Sequence, residues 1–383
     1  MHPALVPWAL SGGAAVAVGF ARFGYALILP AMKTDLALSY AQAGWLNTSN
    51  ALGYLMGSLL TIFYVSRLGN RRLFVGGLLL TAVALLGCGL THDFYLLNLL
   101  RFLAGLGAAG TFICGGVLAS VLGTRAIVIY FAGGGMGMLA TGAGLPWLFD
   151  YAGSAAWPWA WIAVAAVCAP ISAAAIAAQR YSAEPAAPGA AAAWPWRKCK
   201  QAFIAYFMFG LGYIAYMTFI VAWLRASQVQ GMSMAAITSI MWSLLGVASL
   251  FAPVVWRRIF NGRNDGIPMT ASMTVLGIGA ALPLAWPTLT GVWMSATLVG
   301  VSVFMVPSAV TGFVKTNLPQ ASWGSALAVA TSLFALGQTI GPVAAGWVSD
   351  LTGSLSTGLA ISAAILISGA LLALTQKPVL NPA

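Results

Sequence analysis

The sequence is a succession of apolar segments, each long enough to cross a lipid bilayer. A spanning α-helix needs about 20 mostly apolar residues. Charged residues make up only 6% of the 383 residues, whereas soluble domains contain about 25%. The sequence therefore predicts an all-α membrane protein. Twelve transmembrane helices are predicted, at residues 6–30, 42–65, 73–91, 94–121, 126–149, 157–178, 201–225, 232–256, 267–286, 289–314, 323–349 and 355–376.

One connection, at residues 179–200, is much longer than most of the others and lies near the middle of the chain. It is rich in Ala and Pro and basic at its end, which is typical of a linker. The sequence therefore predicts an N-terminal six-helix bundle at 1–180, a cytoplasmic linker at 181–200 and a C-terminal six-helix bundle at 201–383.

Basic residues in the connections are strongly biased to one side of the predicted membrane. Because cytoplasmic loops are enriched in Lys and Arg, we expect both termini to be cytoplasmic, in the inner membrane of a bacterial cell. This topology accounts for the net charge of +11, and a nucleic-acid partner is not expected. Only Lys33 and Arg225 fall on the outer side, and the inner side holds Arg67, Arg71, Arg72, Arg125, Arg180, Arg197, Lys198, Lys200, Arg257, Arg258, Arg263, Lys315 and Lys377.

An internal repeat relates the two halves. The segment DYAGS at 150–154 recurs as DLTGS at 350–354, and at the same offset of 200 residues Gly137 matches Gly337. Both segments end a Gly-rich predicted helix. The sequence therefore predicts two pseudo-symmetric bundles, an arrangement found in transporters whose binding site lies at the membrane midplane between the halves.

Four stretches carry a family pattern, namely SRLGNRR at 66–72, RFLAGLGAAG at 101–110, GAGLPWLFDYAGS at 142–154 and GPVAAGWVSDLTGS at 341–354. They resemble the gating-loop motif, the R-x-x-x-G-x-G motif and the Gly-Pro helix-end motifs of the major facilitator superfamily. Within it, RFGYALILP followed by NALGYLMGS resembles the bacterial YbfB/YjiJ-type branch. The resemblance implies a monomeric secondary transporter that works by alternating access, with no enzymatic activity.

The same resemblance implies gating roles for residues of the 66–72 loop. Gly69, Arg71 and Arg72 match the motif, whereas Ser66 stands where the family usually has an aspartate. We expect Arg71 and Arg72 to contact inner helix ends, where carbonyl dipoles present negative charge. Asp35, just beyond the first predicted helix, is a further gating candidate near the outer side.

Arg22 is the residue that the apolar pattern explains least. An arginine near the bilayer centre costs about 2.5–3.5 kcal/mol on insertion scales, so it is either a substrate-binding group or a structural residue. No Asp or Glu lies inside any predicted span, which leaves the buried charge only positive. Because Arg matches a carboxylate in a bidentate manner, the sequence favours an anion-binding role.

Further substrate-binding candidates are polar or aromatic residues of the predicted helices, and for each the alternative of helix packing stays open. They are Tyr25, Asn47, Asn50, Tyr54, Arg101, Tyr213, Tyr216, Trp242 and Gln338. With only two histidines and four widely spaced cysteines in the chain, no metal site or cofactor is expected.

The function predicted first is secondary transport of a small organic anion, above all a carboxylate, with a proton as the candidate coupling ion. The first alternative is an exporter of amphiphilic or drug-like compounds in which Arg22 is structural. The second alternative, from another class, is a membrane receptor or scaffold that transports nothing.

Overall fold

The computed structural model describes residues 2–184, 193–227 and 229–379, and the regular structure in these ranges is entirely helical. Helices are the expected outcome because lipid offers no hydrogen bonds, so that each backbone N–H and C=O needs a partner within its own segment. The predicted all-α membrane fold is confirmed.

Twelve membrane crossings are present in the described chain, numbered α1 to α12 in chain order. The predicted α4 and α6 have the observed bounds, and the others differ by a few residues at their ends. The helices are α1 Val6–Asp35, α2 40–68, α3 70–88, α4 Phe94–Val121, α5 Thr124–Ala152, α6 Trp157–Ala178, α7 Lys200–Ala226, α8 Met234–Phe260, α9 Ile267–Ala285, α10 Leu289–Asn317, α11 Trp323–Thr352 and α12 Leu355–Leu374.

The crossings α2 and α3 form one long helical run, Tyr40–Cys88, of 49 residues. At 1.5 Å per residue this run is about 74 Å long, more than twice the roughly 30 Å of a bilayer core. Gly69 interrupts it with φ 79° and ψ 159°, a conformation that glycine adopts without steric cost. The eleven long apolar helices of the described chain therefore have the length for twelve membrane crossings, with α2 and α3 on either side of Gly69.

Corresponding helix pairs pack closely in the two halves. A Cβ added at Gly53 of α2 would lie 1.9 Å from the carbonyl oxygen of Phe102 in α4. A Cβ added at Gly300 of α10 would lie 2.4 Å from the carbonyl oxygen of Leu245 in α8. Small residues allow such close backbone approach in membranes. The division into bundles at 1–180 and 201–383 stays a prediction, and linker residues 185–192 lie outside the described ranges.

The two halves are joined at the outer end, which is the end opposite the basic loops. The Asp350 carboxylate of α11 accepts hydrogen bonds from the backbone N–H groups of Tyr40 at 2.9 Å and Ala41 at 2.8 Å, at the start of α2. A Cβ at Gly44 would lie 2.4 Å from the Pro342 carbonyl oxygen. The end of the bundle opposite the basic loops, which the predicted topology makes the outer end, is therefore closed by α2 against α11.

We expect Asp350→Ala to open this outer closure. A carboxylate at a helix N-terminus contributes about 0.5–2 kcal/mol, so its loss should favour outer-open molecules by roughly 2- to 30-fold. The measurement is the labelling rate of Thr218→Cys by a membrane-impermeant reagent added outside. The four native cysteines are buried and give little background.

Asp93→Ala is the matched control, because Asp93 also caps a helix at the outer end but acts within one half. Its carboxylate accepts from the Leu96 N–H at 2.7 Å. Equal labelling rates in both variants would contradict a specific role for Asp350 in closure.

Candidate functional site

Arg22 lies in an irregular part of α1. Residues Ala15–Phe23 form a π-helix between the α-helical segments Val6–Ala14 and Gly24–Asp35. The N–H of Gly24 donates to the carbonyl of Gly19, five residues earlier. Short π-helical turns are rare and occur often at functional sites. The local backbone of α1 is therefore unusual at the residue that the sequence singles out.

Arg22 and side chains from three other helices form a connected cluster, which we call the Arg22 group. Its Nη2 donates to Oε1 of Gln338 in α11, and Nε2 of Gln338 donates to the hydroxyl of Tyr213 in α7. The guanidinium carbon also lies 5.2 Å from the ring centroid of Tyr54 in α2. The structure thus brings together four predicted site residues from both halves of the molecule.

The charge of Arg22 has no acidic partner within the described ranges. Its side chain is 7% exposed, its Nε lacks a hydrogen-bond partner, and its polar partner Gln338 is neutral. No Asp or Glu is among the buried residues of the described chain. Because a buried charge without a counter-ion is costly, this site is electrostatically suited to an anion.

Beside this polar group lies a stack of four aromatic side chains, which we call the aromatic wall: Tyr206, Phe209 and Tyr213 of α7 and Phe334 of α11. The ring centroids of Tyr206 and Phe334 are 4.7 Å apart at 7° between planes, and those of Phe209 and Tyr213 are 4.5 Å apart at 11°. Sequence reasoning identified only Tyr213, although its spacing from Tyr206 and Phe209 is helical.

Arg101 and Tyr25 form a separate cluster. Nη1 of Arg101 donates to the carbonyl of Ala21 at 2.6 Å and Nε to that of Leu46 at 3.4 Å. Its guanidinium lies 4.8 Å from the Tyr25 ring and 5.4 Å from that of Trp161. These contacts favour a structural role, in which Arg101 binds the π-helical backbone beside Arg22.

Asn47 and Asn50 of α2 make helix-to-helix hydrogen bonds. The side-chain amide of Asn47 donates to the Thr218 hydroxyl of α7 at 2.5 Å, which joins the two halves. That of Asn50 donates to the Arg101 carbonyl at 3.1 Å. Both amides therefore hydrogen-bond a neighbouring helix, which is the packing alternative that the sequence left open.

Tyr216 and Trp242 contact residues other than Arg22, Gln338 and Tyr54. The Tyr216 hydroxyl is 2.8 Å from that of Ser295, within the second half. Trp242 is fully buried, and a Cβ added at Gly142 of α5 would lie 2.9 Å from its Cβ. The indole Nε1 of Trp242 has no hydrogen-bond partner among the described residues. Substrate contact by either residue stays a prediction.

The 66–72 loop consists of the adjoining ends of α2 and α3 around Gly69. It is hydrogen-bonded to the segment that follows α6. Nε of Arg71 donates to the Ser182 carbonyl at 3.1 Å, and its Nη2 contacts the carbonyls of Ser182 and Arg180. Arg72 lines a surface cleft of about 370 Å³ together with Arg71 and Gln179. Arg71 therefore lies against backbone carbonyls just beyond the end of α6. Gating roles for Gly69, Arg71 and Arg72 stay predictions.

Glu184 is a residue of this region that sequence reasoning missed. Its carboxylate accepts from the backbone and side-chain N–H groups of Asn70 and from the Arg71 N–H. Burial raises its pKa, but these hydrogen bonds outweigh that effect and hold the pKa below its usual range. The available signal was its isolation as an acid within a basic linker.

Asp35 also bonds within the first half, where its carboxylate accepts from Trp157 Nε1 of α6 at 2.8 Å. This bond ties the end of α1 to the start of α6. A gating role for Asp35 stays a prediction.

We expect Arg22 and Arg101 to have opposite effects on thermal stability. Arg101→Ala should lower the melting temperature, because it removes hydrogen bonds from a charged group to α1 and α2, worth about 1.5–3 kcal/mol each, and the packing against Tyr25 and Trp161. Arg22→Ala should leave it unchanged or raise it, because it removes an uncompensated charge. The measurement is thermal unfolding in detergent without ligand. A clear drop for Arg22→Ala would assign Arg22 a structural role.

We expect Glu184→Gln to loosen the 66–72 loop at neutral pH. A carboxyl whose pKa is lowered by folding stabilises its contacts above its unfolded pKa, about 4.3, and loses them as pH falls through the folded value. The measurement is the hydrogen-exchange protection factor of the Asn70 and Arg71 amides. The protection factors of wild type should fall to those of the variant only at acidic pH. Asp265→Asn is the control, because Asp265 pairs with Arg263, and its protection factors at Asn70 and Arg71 should equal those of wild type. Unchanged protection in Glu184→Gln would refute the role.

Comparison with known proteins agrees with this architecture. Three solved transporters share the fold: the nucleoside transporter NupG (TM-score 0.73, 14% identity, 98% of this chain and 99% of that chain covered), an auto-inhibited POT family peptide transporter (0.71, 12%, 96% and 95%) and a bacterial homologue of the lysosomal transporter Spinster in an inward-facing, unoccupied conformation (0.68, 13%, 98% and 95%). At these identities the likeness concerns the fold alone.

No curated protein matches the sequence significantly. The family model described as "Uncharacterised MFS-type transporter YbfB" matches residues 14–374. This match covers nearly the whole chain and includes Arg22 and every other residue of the site. The resemblance seen in the sequence motifs is thereby confirmed, and the chain belongs to the YbfB-type family of major facilitator superfamily transporters.

Proposed function

We propose that this transporter moves a small organic anion, above all a carboxylate, by alternating access, and that Arg22 binds the anion. Family membership supports transport itself, and the anionic substrate is the added step. The protein acts as a monomer in the inner membrane of a bacterial cell, with both termini in the cytoplasm, and needs no cofactor.

The observation that carries the proposal is the unpaired charge of Arg22. Its neighbours Gln338, Tyr213 and Tyr54 are neutral, and its Nε is free. A carboxylate would accept hydrogen bonds from two guanidinium nitrogens at once. It would also remove the desolvation cost that the isolated charge carries in a low-dielectric interior.

The site draws its groups from both halves, which suits alternating access. Arg22 and Tyr54 belong to the first half, and Tyr213 and Gln338 belong to the second. In the structure, Oε1 of Gln338 accepts a hydrogen bond from the guanidinium of Arg22. An arriving carboxylate would displace this oxygen and accept hydrogen bonds from the Tyr213 hydroxyl and the Gln338 amide. Binding would thus couple to the relative position of the halves.

A proton is the candidate coupling ion, carried by the substrate carboxyl or by Asp35. The first route follows from the lack of buried acids in the described chain. The second follows from the position of Asp35, which is exposed at the outer end of α1.

The exporter alternative also has an observation in its favour. The hydrogen bond from Arg22 to Gln338 is one of those that join the two halves. Arg22 therefore has a structural role even when no substrate is bound. Under that alternative the stability of the protein, and not its affinity for anions, would depend on Arg22.

We expect Arg22→Lys to weaken carboxylate binding, because Lys keeps the charge but lacks the planar fork. Arg22→Ala should weaken it further, by about 2–5 kcal/mol, because the substrate charge is then buried without a partner. The measurements are uptake of labelled carboxylates into proteoliposomes and ligand-induced thermal shifts. Carboxylates and lipophilic cations are compared.

Arg225→Ala is the matched control, because Arg225 lies at the end of α7 and packs 5.8 Å from the Phe149 ring. It should bind carboxylates as wild type does. An Arg22→Ala protein that is less stable than wild type, yet binds carboxylates normally, would exclude the anion site. Stabilisation by lipophilic cations alone would support the exporter.

A further inference from the structure

The aromatic wall continues directly from the Arg22 group. Tyr206, Phe209 and Tyr213 are spaced three and four residues apart and so share one face of α7. Their rings are nearly parallel, with 2° between the planes of Tyr206 and Phe209 and 11° between those of Phe209 and Tyr213. Tyr213 belongs to both groups, since its hydroxyl accepts from Gln338. The flat apolar surface and the cationic group therefore meet.

Phe334 gives this wall an accessible surface. The three aromatic rings of α7 are buried, whereas Phe334 is partly exposed. Phe334 and Gln338 are four residues apart on α11 and share a face. The exposed side chains of Leu336 and Ile340 lie on the opposite, lipid-directed face of the same helix. Phe334 therefore lies on the face of α11 that carries Gln338 and packs on α7, opposite the lipid-directed face.

The spacing along α11 suits a compact ligand. From Phe334 to Gln338 the helix rises about 6 Å, and Gln338 contacts Arg22 directly. A molecule with an anionic group next to a flat ring would reach both at once. A flexible aliphatic chain would fill the same space only with loss of its rotational freedom, which weakens binding.

The charge at the site selects among aromatic ligands. Aromatic faces by themselves attract cations, and a wall of four rings would suit a cationic ligand. Arg22 lies next to Tyr213 through Gln338 and repels cations from that end. The combination fits a ring that carries a negative charge.

We propose that the substrate is a planar aromatic carboxylate of the benzoate type, with its ring against Phe334 of the aromatic wall and its carboxylate on Arg22. The proposal rests on the proposed function, because it takes Arg22 as the anion-binding group. Offset stacking of aromatic pairs adds about 0.5–1.5 kcal/mol beyond area burial, which corresponds to roughly 2- to 12-fold in affinity.

The test compares three ligands on the purified full-length protein by isothermal titration calorimetry. Benzoate is the aromatic acid, cyclohexanecarboxylate is its saturated counterpart of similar size and charge, and benzamide is its neutral counterpart. We expect benzoate to bind about 2- to 12-fold more tightly than cyclohexanecarboxylate, and benzamide to bind at least about 10-fold more weakly than benzoate.

Variants assign the preference to the aromatic wall. Phe334→Leu should bring the ratio of the benzoate and cyclohexanecarboxylate affinities close to one, and Phe334→Tyr, which keeps the ring, should retain it. Phe251→Leu is the control, because Phe251 is 61% exposed on α8 and faces lipid. Its ratio should equal that of wild type.

The outcomes separate this inference from the proposed function. Equal affinities of wild type for the two acids, with benzamide much weaker, would overturn the aromatic substrate and leave the anion transporter intact. If Phe334→Leu leaves the ratio of the benzoate and cyclohexanecarboxylate affinities unchanged, the aromatic wall is not the origin of the preference, and the inference is overturned. Benzamide binding as tightly as benzoate, or no binding of either acid, would overturn the proposed function and the inference together.

Discussion

The candidate site depends on one electrostatic constraint, the burial of two guanidinium groups, those of Arg22 and Arg101, with no acidic partner in the described chain. Arg22 costs free energy at its position in α1, and the surrounding helices reduce that cost only with the neutral oxygen of Gln338 and the ring of Tyr54. Under the proposed function, binding of an anion would remove the remaining cost. Affinity and selectivity for the sign of the charge would then have one physical origin.

The backbone around Arg22 is held by neighbouring side chains. The π-helical segment Ala15–Phe23 widens the turn of α1, and Arg101 donates to the carbonyl of Ala21 within it. Gly19 lets this segment approach α5 closely, since an added Cβ would lie 2.5 Å from Cα of Gly137. One arginine therefore supports the backbone that presents the other, and each of the two keeps one buried nitrogen without a hydrogen-bond partner in the described chain, Nε of Arg22 and Nη2 of Arg101.

The sequence predicted the helices well because lipid imposes a length and composition on each span. It also singled out Arg22, because a charge in such a span is conspicuous, and the substrate-binding role of Arg22 stays a prediction. It left the roles of Asn50 and Arg101 open, since the rotation of a membrane helix about its axis is set by packing against neighbours. Phe334 was not recognised, because a phenylalanine in an apolar helix carries no signal until α7 brings rings alongside it.

The few acidic residues explain why the interior stays positive. Asp350 and Asp93 bind backbone N–H groups at the starts of α2 and α4. Glu184 does the same in the 66–72 loop, and Asp265 accepts from the N–H of Ile267 at the start of α9. In each case a carboxylate meets the positive end of a helix or turn. The acids thus stabilise the ends of the helices. No Asp or Glu is buried in the described interior, where under the proposed function it would compete with the substrate.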